Sequence, residues 1–170
     1  MSIGTTRICH VEIIVRDIEQ GVKNWSVILG LPEPEIWNLP ANTTVPVYSK
    51  GVYSNHSDTR LAVFRAENTI IELVQPGDTP SPFKDWMDKH GEGVMHLAFV
   101  VPDRAKANEA LREIGAPECH HIGYWPEGTY AFYDTIPQLG LQINIKTDED
   151  NTKKIPELLA DPKLFEKDLK

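Results

Sequence analysis

Four side chains able to ligate a divalent cation, His10, Glu72, His96 and Asn144, recur at matching places in a chain of 170 residues. Each lies in a β-branched, apolar run that reads as a strand, and side chains alternate across a strand, so parity assigns the faces. In residues 8–15, His10, Glu12 and Ile14 share one face, and Cys9, Val11, Ile13 and Val15 form an apolar opposite one. The same parity puts Glu72 between Ile70 and Val74, opposite Ile71 and Leu73. It puts His96 with Ala98 and Val100, opposite Met95, Leu97 and Phe99, and Asn144 with Gln142, opposite Leu141, Ile143 and Ile145. The apolar faces must pack on helices, which leaves the polar residues on the other side of the sheet. Two imidazoles and one carboxylate suit a borderline divalent metal and leave positions open for water or substrate. Any one of them alone reads as a hydrogen-bonded core histidine or a rim carboxylate. Three at repeat-related positions read as a metal site.

The elements that hold these residues form an internal repeat. His10-Val-Glu-Ile-Ile-Val-Arg-Asp17 returns as His96-Leu-Ala-Phe-Val-Val-Pro-Asp103, and Leu31-Pro-Glu33 is answered by Ala116-Pro-Glu118. Between these marks each copy carries apolar residues at helical spacing: Ile18, Val22, Trp25 and Leu29, then Ala107, Ala110, Leu111 and Ile114. Asp17 and Asp103 stand as N-caps, Gln20 completes a capping box, and Gly30 and Gly115 end the helices. Three strand-like runs follow each helix, at 34–39, 59–66 and 69–74, then at 119–124, 129–134 and 141–145, so each unit reads βαβββ. Residues 40–58 fit either a long loop or a pair of strands.

These boundaries give one domain over residues 6–147, with a first module at about 6–76, a linking segment at 77–93 and a second module at about 94–147. The linker holds a short helix that Ser81-Pro82 starts and Gly91 ends, with Phe83, Trp86 and Met87 on its apolar side. A polar tail, 148–170, carries short helices over 156–169 with a break at Asp161-Pro162.

Composition narrows the function. A net charge of -8 and a pI near 5.2 argue against a nucleic acid or an anionic membrane as the main partner, since either calls for a basic stripe. A small molecule remains. The absence of a signal-like start and of any apolar run of about 18 residues leads to the expectation of a cytoplasmic protein. Cys9 and Cys119 belong to no Cys-x-x-Cys pair and read as buried free thiols.

With these residues in place, the chain resembles the vicinal oxygen chelate superfamily (glyoxalase, bleomycin resistance protein and dioxygenase), and most nearly its methylmalonyl-CoA epimerase-like branch. The resemblance is carried by the His-led strand, Leu29-Gly30-Leu31, Ile71-Glu72-Leu73-Val74-Gln75-Pro76, and Lys89-His-Gly-Glu-Gly-Val-Met-His96-Leu-Ala-Phe, within about residues 7–146. It implies an α+β fold in which tandem βαβββ modules curl into an open eight-stranded, barrel-like sheet around one divalent cation (Zn, Co, Mn, Ni or Fe). It implies ligands at His10, Glu72 and His96, and a homodimer. The family's fourth ligand, a glutamate, falls on Asn144, which cannot accept a proton at neutral pH. Glu72 and Asn144 are then the catalytic candidates of an isomerase, epimerase or lyase that enolises a substrate with neighbouring oxygens. The alternatives are an iron-dependent dioxygenase and a binding protein without turnover. Further candidates on the same side are Glu12, one of His120 and His121, Tyr130 and Asp134, each more simply a hydrogen-bonded or rim residue. Trp37, Tyr53, Phe64, Tyr124 and Phe132 read as core aromatics or pocket walls.

Overall fold

Each repeat turns from strand to helix at an aspartate. In the first, β1 (Ile8–Ile14) leads to Asp17, whose carboxylate accepts the Gln20 N–H at the start of α1 (Ile18–Leu29), and Gly30 ends the helix in the left-handed region. The capping box is only half made, because the Gln20 side chain donates to Asn24 instead of returning to Asp17. In the second, β7 (Gly93–Val100) leads to Asp103, which accepts the Lys106 N–H at the start of α3 (Arg104–Glu113). The computed structural model describes residues 2–167; Met1 and residues 168–170, with the far end of the expected tail helices, lie outside the described residues.

The first repeat continues as β2 (Trp37–Asn38), β3 (Val47–Ser49), β4 (Val52–Ser54), β5 (Arg60–Arg65) and β6 (Ile70–Gln75). After the linking helix α2 (Pro82–His90), the second continues as β8 (His121–Trp125), β9 (Gly128–Tyr133), the single turn α4 (Ile136–Leu139) and β10 (Gln142–Asp148). The tail forms α5 (Lys154–Ala160) and a 3-10 turn (Pro162–Lys167).

All ten strands join one sheet in the order β2-β5-β6-β1-β7-β10-β9-β8-β3-β4. The run β2-β5-β6-β1 is mirrored by β8-β9-β10-β7, and the antiparallel pair β1·β7 joins the two halves. The sheet thus has ten strands where the repeat predicts eight. The added pair is residues 47–54, which leave the first module and pair with β8 at the far edge of the second.

That excursion forces the sheet to curl. β4 and β5 lie eight strand spacings apart in the order, about 38 Å if the sheet were flat. Ser54 and Arg60 are only six residues apart, a reach of at most about 21 Å. Residues 39–46 and 55–59 therefore strap the two edges together across the open side.

The apolar faces sort as parity requires. α1 places Ile18 and Val22 on Ala62, Phe64 and Leu73, and α3 places Ala107 and Leu111 on Val101, Ile143 and Ile145. The linking helix instead enters the concave side, where Phe83 and Trp86 pack on Ile14, Leu61, Val74, Met95 and Phe132. Met95 breaks the expected alternation. A register shift between Glu12 and Ile13 leaves it without a partner on β1, and this bulge turns it to the concave side, away from Leu97.

The tail belongs to the same core. Leu158 and Phe165 are fully buried, and the Phe165 ring stacks on Tyr48 of β3 at 5.4 Å and meets Tyr124 edge-on at 5.3 Å. Phe165→Ala is expected to cost about 3–5 kcal/mol, the usual range for emptying a buried phenylalanine site. Urea unfolding measures it; a loss below about 1 kcal/mol would show that the ring contributes little to the core.

Candidate metal centre

The sheet register builds the site as two rows across the middle strands. Glu72, Glu12, His96 and Gln142 face one another in one row, and Ile70, His10, Ala98 and Asn144 in the next. The fully buried Ala98 fills little of its row, which leaves room for His10 and Asn144 to lean toward His96. Nε2 of His10 lies 2.8 Å from Nε2 of His96 and 3.3 Å from Oε2 of Glu72, and the Asn144 carboxamide lies 3.2 Å from the same His96 nitrogen. Two atoms that each sit about 2.1 Å from one cation, at right angles to it, are about 3 Å apart. The separations found match the edges of such a coordination shell.

The expected ligands His10, Glu72 and His96 are thus brought together, and Glu12 joins them. Ligand atoms of all four lie within 4.8 Å of one another. Glu12 occupies a different place in the group: its Oε1 is 3.3 Å from Nδ1 of His96, on the far side of that ring from His10, and neither atom has a hydrogen-bond partner. A carboxylate there holds the imidazole with its proton on Nδ1 and its lone pair on Nε2. Glu12 has no counterpart in the second repeat, where Ala98 follows His96 at the same spacing, so repeat matching gave it no weight.

Burial makes the group unfavourable without a cation. It pushes the Glu12 carboxyl well above the usual carboxylate range, the Glu72 carboxylate adds to this, and Lys146 offsets part of it. Glu72 is raised by burial as well, again against Lys146. Burial and the Lys146 cation hold His10 down to about 3, and burial, His10, Lys146 and His121 hold His96 well below its ordinary value. A divalent cation suits neutral imidazoles and ionised carboxylates together. The donor set, its spacing and the unpartnered Asn144 carbonyl oxygen fit a metal. Lys146, two residues beyond Asn144 on the same face, joins the site although a lysine is no ligand type; parity alone places it there.

His10, Glu12, Glu72, Asn144 and Lys146 line a cavity of about 140 Å³ whose walls include Trp37, Leu39, Phe83, Trp125, Tyr130 and Phe132. Phe64 and Tyr124 lie in the core instead, and Tyr53 packs against it. Tyr130 faces the cavity because Gly123 makes room: a Cβ there would stand 2.3 Å from its ring. Asp134 lines a second cavity. Cys119 is buried and Cys9 half-buried, and both are free thiols.

Of His120 and His121, at most one is expected to face the cavity beside the ligands, and neither is among the residues that line it. His121 starts β8 and stacks on Phe132 at 4.6 Å, with its Nε2 3.3 Å from the Tyr130 hydroxyl. His120 lies just before the strand, where alternation does not yet apply, and it lines the second cavity. His56, from the strap, packs on His121 at 5.4 Å.

Burial holds His56, His120 and His121 below their ordinary pKa. A histidine whose folded pKa is depressed binds fewer protons folded than unfolded, so stability is lost as pH falls through about 6.5. The loss is up to about 1.4 kcal/mol per pH unit for each such group. Glu12 and Glu72, raised, pull the other way, so the informative comparison is a difference. The urea midpoint is expected to fall less between about pH 7 and pH 5.5 in His121→Phe than in the parent chain. Equal slopes would show that His121 is not held neutral.

The model for the Glyoxalase/Bleomycin resistance protein/Dioxygenase superfamily matches residues 9–133. The chain belongs to that superfamily. Among solved structures it is similar to a hypothetical protein from Bacillus halodurans C-125, with a TM-score of 0.58 and 16% identity over 85% of this chain and 95% of that one. It is also similar to methylmalonyl-CoA epimerase from Mycobacterium tuberculosis, with a TM-score of 0.57 and 19% identity over 91% and 95%. The Streptomyces coelicolor epimerase in complex with 2-nitronate-propionyl-CoA gives 0.57 and 20% over 84% and 94%. At these identities the likeness is one of fold. No curated protein matches the sequence. Among the described residues, no helix is long and apolar enough to cross a membrane.

Proposed function

We propose that the chain is a divalent-metal enzyme that enolises a small substrate carrying two neighbouring oxygens. The observation that supports this reading is the gathering of ligand atoms of His10, Glu72 and His96 within 4.8 Å of one another, beside a cavity that His10 and Glu72 line. His10, Glu72 and His96 would hold the cation, with the Asn144 carboxamide at the fourth position. When bound, the cation polarises the substrate carbonyl and stabilises the enolate.

The protein's own groups divide the remaining work. Glu72 is the base: its side chain keeps 17% exposure beside the cavity, against 4% for Glu12. Glu12 orients His96. Tyr130, whose hydroxyl burial keeps protonated, is placed to donate to a substrate oxygen. Trp37, Leu39 and Trp125 exclude water.

Asn144 cannot serve as a second base, so the proton leaves and returns on one face. This favours an isomerase over the two-base epimerisation that the family resemblance suggests. The cavity of about 140 Å³ takes the reacting end of a substrate and is below the usual 300–1,000 Å³ of a full ligand site, so a CoA moiety, if the substrate carries one, lies outside it.

Elemental analysis is expected to find about one divalent cation per chain, and the loaded protein is expected to wash deuterium from solvent into the carbon next to a carbonyl of a hydroxyketone or acyl thioester. Folded Glu72→Ala and His96→Ala proteins should do neither. A parent chain that takes up no metal at any tested concentration would sink the proposal.

A further inference from the structure

Resting on the metal centre proposed above, we propose that the substrate is a small 2-oxo carboxylate and that Lys146 is the residue that receives its carboxylate. The register places Lys146 opposite Tyr130 on β9 and one same-face step from Asn144, about 7 Å along β10. Lys146 and Tyr130 both line the metal cavity. The Lys146 charge acts on His10, Glu12, Glu72 and His96, which places the ammonium on the ligand side of the strand.

Glu72 and Glu12 lie against His10 and His96, and among the described residues Lys146 makes no ion pair. A lysine kept only to balance the two carboxylates would sit on one of them. A fixed positive charge beside a cation site also repels the cation, so Lys146 works against the metal unless an anion lies between the two. The acidic and basic side chains along the cavity, the histidines apart, are Glu12, Glu72 and Lys146. Two ionised carboxylates balance a divalent cation, and Lys146 then leaves one positive charge in excess. A monoanion makes the filled site neutral, the state that a desolvated cavity favours.

A 2-oxo carboxylate meets each requirement. It is a monoanion at neutral pH, and its carboxylate and keto groups carry oxygens on neighbouring carbons. One carboxylate oxygen can stand by the cation while the other accepts from the ammonium, a charge-assisted bond of the stronger kind. Tyr130, opposite Lys146 in the register, is placed to donate to the same end of the molecule. A cavity of about 140 Å³ takes about six non-hydrogen atoms, the size of a three-carbon 2-oxo acid. Trp37, Leu39, Leu61 and Val74 form apolar wall, which suits a short alkyl remainder rather than a second charge.

Isothermal titration of the metal-loaded full chain at neutral pH with pyruvate and with pyruvamide, which differ in charge and little in shape, tests this. The cation by itself favours the anion, so the comparison that decides is between the parent and Lys146→Met. The variant is expected to bind pyruvate at least about tenfold more weakly, to lose less than about threefold for pyruvamide, and to hold the metal at least as tightly as the parent. Lys146→Gln takes its place if Lys146→Met does not fold. Equal losses for the two probes, or weaker metal binding in the variant, would mark a structural lysine and overturn the proposal. So would a metal-loaded parent that binds neither probe or prefers pyruvamide. A parent that takes up no metal ends the metal reading by itself. Pyruvate binding by the metal-free chain, weakened about tenfold in Lys146→Met, would then still support Lys146 as the anion site, and its absence would overturn that as well.

Discussion

His10→Ala is expected to take the bound metal from about one equivalent per chain to none, and to end deuterium exchange into any substrate. His10 is the hub of the group, since its Nε2 stands beside both His96 and Glu72. Removing it leaves Glu72 and His96 with nothing between them to complete a three-ligand face. Thermal unfolding supplies a second readout. A ligand present at 1,000 times its Kd stabilises a protein by about 4 kcal/mol, so metal should raise the parent Tm by several degrees and leave that of His10→Ala unmoved. If the variant still gained the full shift, the cation would be bound elsewhere.

Glu12→Gln is expected to act in opposite directions on affinity and on metal-free stability. The amide keeps the shape but cannot hold the His96 ring by charge, and loss of such an outer partner costs about 10–100-fold in metal affinity. In the metal-free chain the same change removes a buried carboxylate placed directly beside Glu72 in the register, so the folded state gains stability near neutral pH. Metal titration and urea unfolding on one preparation measure both. A variant that binds metal as tightly as the parent would leave Glu12 no part in the site. Weaker binding accompanied by a less stable metal-free fold would show that the side chain acts through packing alone.

Much of this was legible from local patterns. Each strand-to-helix turn, at Asp17 and at Asp103, is written within a few residues of sequence, and the inward face of His10, Glu72, His96 and Asn144 follows from parity within each one's own strand. Parity fails where a strand is interrupted or has not begun. The bulge at Met95 turns a residue inward, and His120 lies one step before β8. Non-local pairing is hidden for another reason. Nothing in residues 47–54 says that they pair with β8, because the partner is set by how two modules dock. The part played by Glu12 is of the same kind. A glutamate at 12 is unremarkable until its neighbours across β6 and β7 are known to be Glu72 and His96.

The excursion through β3 also sets how firmly the far edge of the sheet is held. Its hold on the second module is short, three residue pairs from Val47↔Gly123 to Ser49↔His121, and those partners lie some 70 residues apart in the chain. A seam so short and so non-local is expected to open at lower cost than global unfolding. Phe165, stacked on Tyr48, closes that seam from behind. The tail is thereby a latch on the seam between β3 and β8.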